Sequence, residues 1–315
     1  PDRIDRTKLM SLEAHRYHIS AASVGDRAWG AFESTLSGSV IGVTSGGVFI
    51  RAGADQIVFI SRLEYRSPLT ITLRGGKPMF QHLELGMLAK FKSNRLVFPK
   101  PGLVITAAPT ARWFPPLPTI DLADISGGLS KRLRDLGSRV LKKKSDVGLS
   151  ILLPALLQQP HDGMVMSLEG EKALAAHSKL RKGGFSSFGE TLISLLGLGR
   201  GLTPSGDDLL VGFLLTLNRW QDILTVSFDV DGLNRQIIAE AFQTTTHLSA
   251  NLIACAAGGA ADERLLDGLD YIVTGHGNPE LIADRLADMG SSSGADSLVG
   301  ILFAFEACGR IPEGP

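Results

Sequence analysis

The chain has 315 residues, 44% of them hydrophobic and 20% charged, and its formal net charge is zero. That length supports one large or two moderate domains, and the composition excludes a disordered polypeptide. No apolar run approaches the roughly 20 residues of a membrane span, the start Pro1-Asp2-Arg3-Ile4-Asp5-Arg6 is not a signal peptide, and Cys255 and Cys308 form no Cys-x-x-Cys, so a cytoplasmic protein with reduced thiols is expected.

From about residue 38 to 108 the chain reads as short strands: Ser39–Thr44, Val48–Arg51, Gln56–Ser61, Leu69–Leu73, Leu96–Phe98 and Leu103–Ala107. Gly46-Gly47 marks a hairpin turn, Gly75-Gly76 and Pro99–Gly102 punctuate the rest, and a helical break is expected near Gln81–Lys90. Trp113-Phe114-Pro115-Pro116-Leu117-Pro118 cannot be a regular helix and reads as a linker. The fold expected is therefore α+β: a β-rich domain over 1–118, a small barrel or sandwich, followed by a mainly helical domain over 119–315.

Helical periodicity then runs over 124–144, 147–158, 165–179, 187–197, 205–222, 231–257, 262–274, 278–289 and 294–308. In the first of these, Leu129, Leu133, Leu136 and Val140 mark a buried face, leaving Lys131–Lys144 as a solvated basic face. Leu209–Leu217 is apolar on almost every side, so its helix is expected to run through the middle of the domain. Residues 1–150 carry 22 Lys and Arg against 12 acids, while 151–315 carry 10 against 20. This asymmetry suits packing between halves or docking of a partner subunit, and a homo-oligomer is compatible with it. Nucleic acid is disfavoured, because no aromatic residues interleave with the basic run.

The most informative feature is a local repeat. Ser205-Gly206-Asp207-Asp208-Leu209-Leu210-Val211-Gly212 recurs 88 positions later as Ser293-Gly294-Ala295-Asp296-Ser297-Leu298-Val299-Gly300. Each copy places hydroxyls, free backbone N–H groups and a carboxylate at a helix start, which suits an anion or a metal. A well-capped helix is the competing reading, with Pro204 in the first turn and Thr203 or Ser205 as cap. The glycine density of Gly197-x-Gly199-x-Gly201 favours a site, and Asp207 and Asp208 are candidate ligands for Mg²⁺. Walker-like spacing from Gly201 to Gly206 lacks its lysine, and Gly290-x-Ser292-x-Gly294 lacks the strand and downstream histidine of a nucleophile elbow. A third cluster, Thr244–Asn251, is read as lying inside one long helix, with Thr245 and Ser249 on a shared face.

Together, Gly197-x-Gly199-x-Gly201-Leu202-Thr203-Pro204-Ser205-Gly206-Asp207-Asp208, Thr244-Thr245 with Ser249, and Ser292-Ser293-Gly294-x-Asp296 resemble a bacterial family first catalogued as a domain of unknown function. One member of that family is a subunit of oxamate carbamoyltransferase in anaerobic allantoin breakdown. The resemblance covers mainly residues 190–310, and Arg200 stands where a proline or other neutral residue is expected. It implies carbamoyl transfer between phosphate and the amide nitrogen of oxamate, carried out with other protein subunits. Under it, Asp207, Asp208 and Asp296 are the catalytic candidates, while Gly201, Thr203, Ser205, Gly206, Thr245, Ser249, Ser292, Ser293 and Gly294 surround a small anionic substrate. Two other readings stay open: a non-catalytic scaffolding or regulatory subunit, and a stand-alone enzyme on another carboxylate or phosphorylated substrate.

Overall fold

The computed structural model describes residues 17–74, 82–118, 128–145, 147–157, 166–182, 187–224, 226 and 228–310. The chain divides into two compact units, residues 1–115 and 116–315. The expected order of a β-rich part followed by a helical part is what the structure has.

The first unit is a closed barrel. Its strands are β1 (Tyr17–Gly25), β2 (Ser37–Val43), β3 (Gly47–Ala52), β4 (Gln56–Ser61), β5 (Thr70–Leu73), β6 (Leu88–Lys92), β7 (Arg95–Phe98) and β8 (Leu103–Thr106). They pair in the order β5-β4-β3-β2-β6-β7-β8-β1, and β1 returns to β5 to close the ring. Closure leaves no free edge in the ring, and alternate side chains fill the inside. Val48, Ile50, Ile60, Phe91, Leu96 and Phe98 are buried there. Helix α1 (Asp26–Glu33) buries Ala28, Trp29, Ala31 and Phe32, and Phe32 meets Phe91 edge-on at 5.3 Å. A two-residue strand, β9 (Arg112–Trp113), lies parallel to the end of β1.

All six expected strands are present, and Ser45-Gly46 turns the β2–β3 hairpin between Thr44 and Gly47, which bond each other's backbones. The helical break expected near Gln81–Lys90 is corrected: residues 75–81 lie outside the described part, and Leu88–Lys92 is strand β6. Its burial alternates, with Ala89 and Phe91 inward and Leu88, Lys90 and Lys92 outward, the two-residue period of a strand.

The second unit contains α2 (Leu129–Lys143), α3 (Leu153–Leu156), α4 (Leu168–Lys182), α5 (Phe188–Ile193), α6 (Ser205–Arg219), α7 (Gln221–Leu224), α8 (Val230–Thr244), α9 (His247–Ala256), α10 (Glu263–Thr274), α11 (Pro279–Ala287) and α12 (Ser293–Ala307). Among the described residues no helix is long and apolar enough to cross a membrane. Helix α6 is buried along Gly206–Leu217, as its all-round apolar sequence requires, and α12 is buried from Gly294 to Phe305. These two helices, the ones that begin with the repeat, pack most extensively on each other.

Their crossing depends on two glycines. A Cβ on Gly212 would sit 1.9 Å from the Ser297 carbonyl oxygen, and a Cβ on Gly300 would sit 1.9 Å from the Leu209 carbonyl oxygen. Gly212 and Gly300 are equivalent in the repeat, as are Leu209 and Ser297. Each contact is therefore the image of the other under a local pseudo-two-fold.

Two further expectations are revised. The single helix expected over 231–257 is two helices, because Thr245 leaves α8 in an extended conformation and Thr246 starts α9 as its cap. The Thr246 hydroxyl accepts the Ser249 N–H at 3.0 Å. Thr246→Ala is expected to destabilise the protein by about 1 kcal/mol, the worth of such a cap, as read from a urea titration. The basic face of α2 is also less solvated than expected: Lys143 pairs with Asp284 at 2.6 Å and Glu280 at 3.0 Å, and Arg139 bonds Glu280 as well.

Candidate functional site

The two repeat helix starts converge. The Thr203 and Ser293 hydroxyls lie 3.2 Å apart, 90 positions apart in sequence. Asp208 faces the Ser293 and Thr203 hydroxyls, and its carboxylate senses those of Asp296 and Asp207. Asp296 in turn faces the hydroxyls of Ser205 and Ser292. Ser205 and Ser293 are repeat equivalents, as are Asp208 and Asp296. Each copy thus supplies a hydroxyl to the other's carboxylate.

Asp207, Asp208 and Asp296 are 1%, 2% and 0% exposed. Water is the main stabiliser of a carboxylate, so burial at this depth favours the protonated form. Burial, reinforced by the Asp296 and Asp207 carboxylates, holds Asp208 well above the usual carboxylate range against the opposing hydroxyls. Burial also pushes Asp296 up to about 6, although the Leu149 N–H donates to its Oδ1 at 2.6 Å. Asp207 is raised by burial too, opposed by the Thr245 hydroxyl, the Gly197 N–H and the nearby Ser249.

The three acids differ in what remains available to a ligand. Both oxygens of Asp207 are engaged: Oδ1 accepts the Gly197 N–H at 2.7 Å and Oδ2 accepts the Thr245 hydroxyl. Asp207 therefore pins the glycine loop to the α8–α9 junction. By contrast, Asp208 Oδ2, Asp296 Oδ2 and the hydroxyls of Ser249 and Ser297 are buried without a hydrogen-bond partner among the described residues. A buried polar atom without a partner costs about 1–3 kcal/mol, and this makes the junction the candidate site.

Several expected roles change. Neither Thr203 nor Ser205 caps α6; Pro204 occupies the cap position, with no side-chain cap bond. The N–H groups of Gly206 and Gly294 do not serve an anion, because they donate to the Leu198 carbonyl at 2.8 Å and the Met289 carbonyl at 3.1 Å. Both glycines are needed for packing instead: a Cβ would lie 2.1 Å from the Leu195 oxygen at Gly206 and 2.0 Å from the Leu286 oxygen at Gly294. Thr245 and Ser249 do not share one helix face, yet both stand beside Asp207. The Asp207–Asp208 pair is a poor Mg²⁺ site, since the Asp207 oxygens are taken and the described residues form no group of three or more His, Cys, Asp or Glu suited to a metal. Gly201 is exposed with φ +100, and space for a side chain is open there. The sequence reading missed the loop bearing Gly148 and Leu149; Gly148 has φ +55 and lies so close to Asp296 that a Cβ would fall 2.4 Å from its Oδ1. A glycine before an apolar residue was the only local signal.

The pH dependence of stability follows from Asp296. Its folded value, about 6, lies above the ordinary 3.8, so between these limits the folded protein keeps a proton that the unfolded chain has lost. This contribution is fully present below pH 4 and disappears as the pH rises through 6. Asp296→Asn is expected to gain on the wild type by up to about 3 kcal/mol between pH 4 and 7 in paired denaturant titrations. An unchanged difference across that window would mean that Asp296 ionises normally.

The whole is a two-unit α+β protein: a closed barrel, then a helical unit in which two like helix starts enclose paired carboxylates. Residues 195–305, which hold both helix starts and the α8–α9 junction, match the family described as oxamate carbamoyltransferase subunit AllH. The sequence resemblance is borne out over this stretch. No curated protein and no solved structure gives a significant match.

Proposed function

We propose that this chain is a subunit of an oxamate carbamoyltransferase and that the junction of α6 and α12 is its small-anion site. The observation that carries the reading is the coincidence of the matched segment with two buried carboxylates whose Oδ2 atoms have no hydrogen-bond partner among the described residues. Oxamate, oxalurate, phosphate and carbamoyl phosphate all present several acceptor oxygens. The half-buried hydroxyls of Thr203, Ser205, Ser292 and Ser293 are suited to donate to them. A protonated Asp208 donates to the carbamoyl carbonyl as negative charge develops there, Asp296 accepts a proton from the attacking amide nitrogen, and as the new C–N bond forms the carbamoyl C–O bond breaks with phosphate as the leaving group. Buried acids with raised pKa values suit these opposite tasks at neutral pH. Other protein subunits complete the enzyme, in keeping with the family description.

A second reading draws support from the near-complete burial of the three acids and the internal use of the Gly206 and Gly294 N–H groups. In it the junction is a structural knot of a scaffolding subunit. A thermal-shift titration with phosphate, carbamoyl phosphate, oxamate and oxalurate, each with and without Mg²⁺, separates the two. Stabilisation by one of these anions that is lost in Asp208→Asn supports a ligand site, because only ligand bound to the folded state raises the melting temperature. No shift with any anion, alone or with the partner subunits present, favours the scaffold.

A further inference from the structure

We propose a second anion site, on the wall of the barrel, that takes the phosphoryl group of a phosphorylated small molecule. It goes beyond the reading above and does not depend on it. Strand β1 pairs with β8 through Tyr17–Ser20 and with β9 through Val24–Gly25. Between these pairings the chain leaves the sheet through the turn Pro109–Ala111, which opens a notch beside Ala21 and Ala22. The notch is a cleft of about 540 Å³, a volume typical of small-molecule sites.

Its lining is one-sided in charge. Arg74, just after β5, and Arg95, at the start of β7, both border it, and among the described residues that line it none is acidic. Both arginines are exposed, and among the described residues neither guanidinium has an ion pair or side-chain hydrogen bond. Their backbones are nevertheless fixed: the Arg74 N–H donates to the Ser20 carbonyl at 3.1 Å, and Arg95 pairs with Thr106 across β7 and β8. Ser20, Asn94, Thr106 and Thr110 add hydroxyl and amide groups. Asn94 is held in the β6–β7 turn, where it and Ser93 have φ of +61 and +48 and the Asn94 carbonyl accepts the Ala107 N–H at 2.9 Å. Two planar guanidinium forks on braced strands, bordering the same cleft as these neutral donors, suit the several oxygens of a phosphoryl group. Among the described residues that line the cleft none is aromatic, so recognition rests on the guanidinium, hydroxyl and amide groups. The volume exceeds the need of inorganic phosphate and leaves room for the group it esterifies.

The test is calorimetric titration of the full chain with inorganic phosphate and with pyrophosphate at constant ionic strength, on wild type, Arg74→Gln, Arg95→Gln and Asp208→Asn. The arginine variants remove exposed side chains, and circular dichroism checks that they fold. Phosphate binding should persist in Asp208→Asn, whatever the α6–α12 junction contributes, and each arginine variant should weaken it about tenfold or more, the loss of one charge-assisted fork. Binding unchanged in both arginine variants overturns the proposal, as does equal binding of chloride or oxalate. Loss of binding only in Asp208→Asn assigns the anion to the α6–α12 junction and overturns the barrel site, leaving the proposed function intact.

Discussion

Under the proposed function, Asp208→Asn is expected to lower carbamoyl transfer by the assembled enzyme about 10²- to 10⁴-fold, the contribution of a positioned general acid, while the melting temperature at pH 8 stays level or rises. The substitution keeps the shape of the side chain and removes only its ability to ionise. Asp208 is 2% exposed, close to two other acids, and its Oδ2 has no hydrogen-bond partner among the described residues. At pH 8 the native fold must either hold a charge where burial disfavours it or hold a proton that the unfolded chain gives up. A neutral amide avoids both. Under the proposed function, Asp208 is kept at a cost in stability because its chemistry is needed. The idea fails if the variant retains activity within about threefold, too small a change for a lost general acid. It fails equally if the variant unfolds at every pH.

Gly300→Val and Gly212→Val are each expected to destabilise the helical unit by about 3 kcal/mol or more, enough to leave little folded protein at 37 °C. Even the first carbon of a side chain would lie 1.9 Å from a backbone oxygen of the facing helix, and backbone in a buried crossing has nowhere to retreat. Because the two contacts are images of each other, the two variants should suffer alike. Thermal melts that leave either variant within about 2 °C of wild type, a shift worth well under 1 kcal/mol, would disprove the close crossing of α6 and α12.

Much of the fold was legible in the chain. The expected strands carried β-branched or aromatic residues between glycine and proline breaks, and the helices carried apolar faces at the right period. Strand β1 was missed because Tyr17–Gly25 alternates weakly and is rich in Ser and Ala. β6 was read as part of a helical break even though its inward Ala89 and Phe91 alternate with Leu88, Lys90 and Lys92. The break between α8 and α9 was hidden because Thr244-Thr245-Thr246 tolerates a helix as well as a cap, and only the Thr246–Ser249 bond decides.

The site was legible in composition but not in assignment. The repeat pointed to Asp208, Asp296 and the hydroxyls around them. Nothing in one dimension told whether the two copies meet, since that depends on a tertiary crossing. Nor could a string of glycines reveal that Gly206 and Gly294 make room for the preceding turns of chain rather than for a ligand. The same limit applies to Asp207, whose partners Gly197 and Thr245 come from opposite sides of it in sequence.

The reciprocal hydroxyl–carboxylate exchange has one more consequence. Two identical chains meeting across a true dyad would present the same atoms on either side, a cradle matched to a ligand whose two ends are alike. Here both halves belong to one polypeptide, so each can change alone: Asp207 occupies one half, and Ala295 stands at the corresponding place in the other. Covalent continuity turns a symmetric frame into a directional one, which under the proposed function lets the junction tell head from tail in a bound anion.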